Sequence, residues 1–160
     1  MYRAGNNTYH VETDGFYGEL FTPAEDKFPG KALICFSGSD GGIALARLLA
    51  EVFRARGLTT LALAYVLEEG LPQAFDRIPI DFVEAAAGQL HDMGFGKVGL
   101  WGISKGAELA LTAGSLLPEL VNAVVAVAPM NTVCQGFAKK RGISFVPHSS
   151  WSFHGEEVPY

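Results

Sequence analysis

The sequence is poor in the residues that mark several classes of protein. Its 160 residues include only two cysteines, Cys35 and Cys134, which are too few for a disulfide framework. The opening residues MYRAGNNTYH lack the apolar stretch of a signal peptide, and no window approaches the roughly 18 unbroken apolar residues of a membrane span. There are 12 Lys and Arg against 17 Asp and Glu, a net charge of −5, so no basic excess is available to neutralise nucleic-acid phosphates. These absences predict a reduced, cytoplasmic protein with neither a membrane span nor a nucleic-acid partner.

The residues that are present suit one folded domain over residues 1–160. Apolar residues make up 49% of the chain and charged residues 18%, so a sizeable core can form. Several of the 19 glycines follow apolar runs, in SGSDGG (37–42) and WGISKGAE (101–108). Glycine is used where the backbone adopts a positive φ or approaches another group closely. These two segments are therefore the first candidates for a functional site.

Short apolar runs alternate with amphipathic segments along the chain. The runs predict buried strands at 32–36, 60–66, 97–103 and 121–129. The amphipathic segments predict helices at 43–56, from Pro79 to Gly94, and at 105–117. Residues 9–22 indicate two short strands joined by a hairpin turn at Asp14-Gly15. The alternation predicts an α/β fold with a mostly parallel sheet and helices on both faces. After Pro129 the alternation ends, and we expect irregular structure with at most a short strand near 143–146.

Gly102-Ile103-Ser104-Lys105-Gly106 matches G-x-S-x-G, between a predicted buried strand and a predicted helix. A tight turn at this place lifts the serine hydroxyl clear of the backbone, and the flanking glycines prevent side-chain collisions. The helix N-terminus adds backbone donors and a partial positive charge. The alternative is an ordinary turn that contains Gly and Ser. The context favours Ser104 as a nucleophile.

The SGSDGG loop follows the first buried strand and opens the next helix. In such a sheet this loop supplies the second backbone N–H of an oxyanion hole, the first being that of Lys105. A plain βα turn and a phosphate cradle are the alternatives. The cradle is disfavoured because the loop matches neither nucleotide-binding glycine motif. Residues 94–99 match G-x-G-x-x-G, but they precede a strand instead of following one.

Three segments together resemble a known family: GISKGAELAL (102–111), the SGSDGG loop, and LALAYVLEEGLPQAFDRIPIDFVEAA (61–86). They are similar to the catalytic domain of acyl-CoA thioesterases and bile acid-CoA:amino acid N-acyltransferases. The resemblance runs from about residue 15 to about residue 158 and implies an α/β-hydrolase fold. Nothing in the chain corresponds to the N-terminal β-sandwich domain of larger relatives.

The resemblance implies a two-step acyl transfer. No cofactor is expected, and no metal site either, because no His, Cys, Asp and Glu cluster shows metal-ligand spacing. Ser104 would attack a thioester or ester carbonyl, and water would release the acyl group. The oxyanion would be held by the N–H of Lys105 and that of Asp40 or Gly41. Acyltransferase members often carry cysteine at the nucleophile position, so Ser104 favours hydrolysis.

The partners of the nucleophile are not evident. In this fold the order is serine, then acid, then histidine, and the resemblance implies that the acid follows a seventh strand and the base an eighth. Neither strand is found, and no aspartate follows Ser104. The acids and histidines after it are Glu108, Glu119, Glu156, Glu157, His148 and His154. Glu108 and Glu119 are expected to be solvated or ion-paired, and Glu156 and Glu157 follow both histidines, against the expected order. His10 and His91 precede Ser104. A structural role is favoured for all four histidines, with His154 kept as a candidate base.

These observations predict the N-terminal, nucleophile-bearing part of a hydrolase domain, truncated before its last two strands. The first functional interpretation is a serine hydrolase acting on acyl thioesters. The second is a catalytically inactive fragment or binding scaffold, and a nucleotide-binding protein ranks third. The predicted strand at 121–128 would leave an open apolar edge. We therefore expect self-association, or binding of a complementary C-terminal segment.

Overall fold

A computed structural model describes residues 7–139 and 142–160 of the chain. Its strands are β1 (Asn7–Tyr9), β2 (Tyr17–Phe21), β3 (Lys31–Phe36), β4 (Thr59–Ala64), β5 (Ile78–Pro79), β6 (Lys97–Ile103), β7 (Ala123–Val127), β8 (Gln135–Lys139), β9 (Ile143–Ser149), β10 (Trp151–Phe153) and β11 (Glu156–Glu157). Its helices are α1 (Val11–Asp14), α2 (Ala44–Arg54), α3 (Asp81–Asp92) and α4 (Lys105–Leu116). Among the described residues, no helix is both long enough and apolar enough to cross a bilayer.

A central six-stranded sheet has the order β1-β2-β4-β3-β6-β7. Strands β4, β3, β6 and β7 are parallel to one another, while β1 and β2 form antiparallel pairs at one side. The continuous apolar runs form these parallel strands because both faces of their sheet are covered. The predicted α/β fold and the four predicted parallel strands are confirmed.

The helices cover the two faces of the sheet. Helices α3 and α4 pack on one face, where Val83, Leu90 and Leu109 join the larger apolar core. Helix α2 packs on the other face through Ala46 and Ala50, which belong to a second core around Cys35. The central strands are thus covered on both sides. This layering brings the carboxyl end of β6 to the surface, where α4 begins.

Of the two strands predicted within residues 9–22, the second is confirmed as β2, whereas the segment before Asp14-Gly15 is helical and the partner strand β1 lies earlier, at Asn7–Tyr9. Strands β1 and β2 are antiparallel partners, with Tyr9 opposite Gly18. The short helix α1 separates them, so the tight hairpin turn predicted at Asp14-Gly15 is wrong. Asp14 accepts hydrogen bonds from the His10 N–H at 2.8 Å and from the Thr13 hydroxyl at 2.7 Å, which stabilises a helical turn. Gly15, at φ 78°, ends it.

The expectation of an irregular tail after Pro129 is also wrong, although the short strand expected near 143–146 lies within β9. Strands β8 and β9 form an antiparallel hairpin, and β10 pairs in parallel with β5 and antiparallel with β11. None of these strands joins the central sheet. The sequence pattern does not reveal β10 and β11 because they have only three and two residues, and the QGFAK segment of β8 contains no continuous apolar run. In addition, the ISFVPHS segment of β9 contains Pro147 and shows no steady alternation of apolar and polar residues.

Strand β7 forms one edge of the central sheet. It pairs with β6 on one side, and no described residue forms a strand on its other side. Its side chains Val125 and Val127 are 48% and 37% exposed. The open apolar edge predicted at 121–128 is therefore present within the described part of the chain.

Candidate active site

Ser104 occupies the turn between β6 and α4. Its backbone has φ 53° and ψ −117°, a conformation that a residue with a side chain rarely adopts. Its N–H donates to the Val127 carbonyl at 2.9 Å, and its carbonyl accepts from Ala107 and Glu108 at 3.0 and 3.1 Å. These bonds fix the strained turn while the residue itself stays exposed. This arrangement holds the hydroxyl outward at the end of the parallel sheet.

The two flanking glycines are required by close backbone contacts. A Cβ at Gly102 would lie 2.1 Å from the Gly106 carbonyl oxygen, and a Cβ at Gly106 would lie 2.0 Å from the Ser37 carbonyl oxygen. No side chain fits at either distance. The glycines of the motif therefore let β6, α4 and the loop after β3 meet at one point.

The SGSDGG loop lies beside the serine, as predicted. The Cβ of Ser104 is 3.4 Å from the position that a Cβ on Gly38 would take. The loop is anchored from below by Tyr65, whose hydroxyl is 3.0 Å from the Ser37 carbonyl oxygen and 2.9 Å from the Gly38 carbonyl oxygen. Tyr65 is buried, and burial raises the pKa of its phenol far above the usual range. It therefore remains a donor at neutral pH.

The predicted oxyanion donors differ in their availability. The Gly41 N–H donates to the Gly38 carbonyl at 3.3 Å, so it is engaged within the loop. Within residues 7–139 and 142–160, the N–H groups of Asp40 and Lys105 donate to no protein acceptor. The Lys105 N–H is one of the unpaired donors at the start of α4. The geometry thus favours Asp40 and Lys105 over Gly41 as donors.

A cleft of about 240 Å³ opens beside Ser104. Its lining combines the turn at Gly102–Gly106, hereafter the elbow, with the β8–β9 hairpin of the tail. It consists of Ser39, Ser104, Lys105, Glu108, Met130, Cys134, Gln135, Phe137 and Phe145. The aromatic part is ordered by stacking of Phe137 on Phe75, with ring centroids 4.4 Å apart. An apolar wall next to an exposed serine can hold a hydrocarbon chain near the hydroxyl.

Cys134 is a second nucleophilic group in this cleft. Partial burial raises the pKa of its thiol, and the negative charge of Glu108 acts in the same direction. The thiol therefore stays protonated at neutral pH, whereas the thiolate is the reactive form. Cys35 is inert for the same reason, since burial raises its pKa to about 12.

The histidines lie away from the serine cleft. All four are described, and none of them lines that cleft. His91 contacts the Leu120 carbonyl oxygen at 2.9 Å. His10 is exposed near Tyr17, with ring centroids 5.8 Å apart. These two histidines have the structural surroundings that the sequence predicts for them.

The two histidines of the tail each face a carboxylate. His148 lies 3.4 Å from Asp76. His154 pairs with Glu84 at 2.8 Å, and this hydrogen bond raises the pKa of the imidazole. The candidate base His154 therefore has a carboxylate partner but no contact with Ser104.

The acids after Ser104 are placed differently from the expectation. Glu108 is ion-paired with Lys105, which was one of the expected alternatives, but the pair is buried instead of solvated. Glu119 and Glu156 are exposed, and Glu157 accepts a hydrogen bond from the Ser149 N–H at 2.7 Å. No serine–histidine–acid triad is assembled within the described residues.

One group of possible metal ligands forms only in three dimensions. Ligand atoms of Asp81, Glu84 and His154 lie within 4.8 Å of one another. The carboxylates are half-buried and the imidazole is exposed. Sequence spacing could not reveal this group, because α3 and the tail are far apart in the chain. The His154–Glu84 ion pair accounts for the contact.

Sequence reasoning missed the residues that support the elbow. Tyr65 lies in an apolar run and looks like an ordinary core residue. Glu68 accepts a hydrogen bond from the Ile43 N–H at 2.9 Å, at the start of α2. Trp151 comes from the tail, whose fold was not predicted. Only Glu108 could have been found from the sequence, because an acid three residues after Lys105 on a helix can form an ion pair with it.

No protein-family model matches the chain. Sequence relatives are found among characterised proteins. The chain is 38% identical over 112 residues to acyl-coenzyme A thioesterase 1 from Homo sapiens, covering 68% of this chain and 26% of that protein. It is 38% identical to the human mitochondrial acyl-coenzyme A thioesterase 2, covering 68% and 22%. It is 34% identical over 119 residues to acyl-coenzyme A amino acid N-acyltransferase 2 from Rattus norvegicus, covering 70% and 27%. The chain thus spans about a quarter of the length of these relatives.

Solved structures match the fold. An α/β hydrolase from Penicillium sp. sh18 superposes with a TM-score of 0.62 at 22% identity, over 78% of this chain and 45% of that one. Dienelactone hydrolase from Anabaena variabilis superposes with a TM-score of 0.56 at 26% identity, over 77% and 62%. The predicted α/β-hydrolase fold is confirmed.

Proposed function

Because the chain is a homologue of the acyl-CoA thioesterases and acyl-CoA amino acid N-acyltransferases, we propose that it is a serine hydrolase acting on acyl thioesters, with Ser104 as the nucleophile. The observation that carries this proposal is the positive φ of exposed Ser104, between two glycines that tolerate no side chain. Such strain persists where a function depends on it.

The proposed reaction has two steps. The Ser104 oxygen attacks the thioester carbonyl while its proton passes to a base. The carbonyl oxygen becomes an oxyanion that the Asp40 and Lys105 N–H groups stabilise. The C–S bond then breaks, the thiolate takes up the proton, and the acyl group remains on Ser104. Water repeats the attack and releases the acid.

The base and its orienting acid are proposed to come from sequence outside these 160 residues. The proposal is supported by the finding that no described histidine lines the serine cleft, and it treats residues 1–160 as the nucleophile-bearing part of a hydrolase domain. A serine hydroxyl without a base is a weak nucleophile at neutral pH. The cytoplasmic location remains a prediction, since one relative named above is mitochondrial.

The acyl group is proposed to lie against Phe137, Phe145 and Met130. Phe145 is 68% exposed and Met130 is 53% exposed in the cleft that Ser104 also lines. Burial of such side chains against a hydrocarbon chain contributes roughly 25 cal/mol per Å².

A second candidate is an inactive scaffold that keeps the elbow. It is favoured by one observation, the absence of any histidine contact with Ser104 in the described residues. The two candidates are separated by reaction with a fluorophosphonate probe, with Ser104→Ala as the control. Labelling that Ser104→Ala abolishes supports the hydrolase. No labelling, in the chain alone and in a longer chain carrying the C-terminal remainder of the domain, would support the scaffold.

A further inference from the structure

Glu108 is a buried carboxylate in the first turn of α4. Its side chain is 2% exposed and that of its partner Lys105 is 6% exposed. Removing two charges from water is costly, and a buried ion pair by itself is weak evidence for stability. Stability alone therefore does not explain why the pair is buried, and the hydrogen bonds of Glu108 indicate another role.

One oxygen of Glu108 gathers donors from three separate parts of the chain. Glu108 Oε1 accepts from Lys105 Nζ at 3.0 Å, from the Cys134 N–H at 2.9 Å and from Trp151 Nε1 at 2.8 Å. Its other oxygen, Oε2, accepts from Lys105 Nζ at 2.9 Å. The carboxylate thus joins α4 to the segment before β8 and to β10.

The ammonium of Lys105 also faces the tail, through Trp151 and a further aromatic residue, Phe137. Its Nζ lies 5.2 Å from the ring of Trp151 and 6.0 Å from the ring of Phe137. Both distances suit a cation–π contact. The side chain of the residue after the nucleophile is therefore tethered on two sides.

The position of Lys105 gives this network a consequence for the reaction. Its backbone N–H is the donor nearest in sequence to Ser104, and its side chain is bound by Glu108. Cys134 and Phe137 line the cleft that Ser104 opens into. A single carboxylate therefore orders both the oxyanion donor and one wall of the cleft.

We infer that Glu108 is a positioning residue, which fixes Lys105 behind the elbow and docks the tail against the serine cleft. This inference rests on the proposed function for its effect on rate. A buried network in which every polar group has a hydrogen-bond partner holds the surrounding side chains in one arrangement.

The test compares Glu108→Gln with Glu119→Gln, which changes an exposed acid just after α4. Glutamine keeps an oxygen that can accept from Trp151 and Cys134, but it places an amide N–H₂ group against the Lys105 ammonium. Two readouts are measured on folded protein. The first is the Trp151 indole N–H resonance, assigned with Trp101→Phe. The second is the rate of Ser104 labelling by a fluorophosphonate, measured in a longer chain that carries the C-terminal remainder of the domain and with it the proposed base.

Glu108→Gln is expected to move the Trp151 indole resonance upfield, because a charge-assisted bond becomes a neutral one. The labelling rate is expected to fall at least about tenfold, since small displacements of catalytic groups can cost about 10²-fold. Glu119→Gln is expected to leave both unchanged. Where Glu108→Gln does not fold, the double variant Lys105→Met/Glu108→Gln removes the unpaired ammonium and is expected to show the same loss of rate.

An unchanged labelling rate in a folded Glu108 variant would overturn the inference, because a purely structural carboxylate affects stability alone. An unchanged Trp151 resonance would overturn it too. If neither the 160-residue chain nor the longer chain labels at all, the proposed function fails, and the Trp151 resonance and the exchange rate of the Cys134 amide still decide whether Glu108 docks the tail.

Discussion

The hydroxyl of Tyr65 lies 2.9 Å from the carbonyl oxygen of Gly38, directly beneath the loop that adjoins Ser104. Tyr65 directly follows β4, so a core residue fixes the backbone of the candidate oxyanion loop. The aromatic neighbours Phe36, Phe75 and Trp151 hold its ring in place, at centroid distances of 6.4, 6.3 and 5.6 Å.

Tyr65→Phe is expected to loosen this loop. It removes the donor to two buried carbonyl oxygens, which costs about 1–3 kcal/mol of unfolding free energy. The change is measured by urea denaturation, together with the rate of Ser104 labelling. Tyr160→Phe is the control, because Tyr160 is 54% exposed. Equal stabilities for the two variants would contradict the anchoring role.

Gly106→Ala is expected to destabilise the protein strongly. Its Cβ would lie 2.0 Å from the Ser37 backbone oxygen, which no rotamer change can relieve. The cost in unfolding free energy should reach about 3 kcal/mol or more. Gly88→Ala in α3 is the matched control, since nothing lies within 4 Å of the added carbon and alanine should add about 0.5–1 kcal/mol of stability. Thermal denaturation of the two variants would show opposite shifts; a shift in the same direction is the contrary result.

The contact between the tail and α3 is expected to weaken as pH rises. The hydrogen bond to Glu84 raises the pKa of His154 above its ordinary value of 6.5, and the charges of Glu84 and Asp81 act in the same direction. A group with a raised folded-state pKa stabilises fully below its unfolded pKa, and the effect is lost as pH rises through the folded pKa.

This effect is measured by amide exchange in β10 and β11 at a pH below the ordinary pKa of 6.5 and at pH values above it. Protection should fall with rising pH in the parent chain and stay level in His154→Gln. The imidazole is exposed, so solvent screening keeps the effect small. A parent chain whose tail protection does not depend on pH in this range would refute the ion pair.

The open edge of β7 is expected to cause self-association. Val125 and Val127 expose apolar side chains beside backbone groups that no described strand pairs. An edge of this kind can pair with another chain. Sedimentation velocity should detect oligomers in the parent chain, and Val125→Lys should reduce them.

Ile143→Lys is the control for this experiment, because Ile143 is 65% exposed on β9, which is not part of the central sheet. A monomeric parent chain, or equal loss of association in both variants, would show that the β7 edge is not the contact.

The central sheet could be predicted from sequence because each of its parallel strands is a continuous apolar run. The elbow could be predicted as well, since G-x-S-x-G follows such a run and precedes a helical pattern. Both signals are local: the residues that define them are neighbours in the chain.

The tail and the support of the site could not be predicted, because they depend on distant contacts. Glu108 was expected to be solvated or ion-paired, and its burial accompanies hydrogen bonds from the distant tail residues Cys134 and Trp151. The turn at Asp14-Gly15 was misassigned because the Asp14 side chain stabilises a helical turn that competes with a hairpin. In both cases the sequence pattern allowed more than one arrangement, and a hydrogen bond that the pattern does not reveal selects the one that forms.

The parallel pairing of β5 with β10 also has a consequence for how the protein is made. Ser152 donates to the carbonyl of Arg77, a residue 75 positions earlier, so this contact closes a long loop. During synthesis from the N-terminus, the strands of the central sheet leave the ribosome before Trp151 does. The Glu108 carboxylate therefore stays hydrated from the time it leaves the ribosome until Trp151 has followed it, and the turn at Ser104 acquires its final surroundings only when the tail docks.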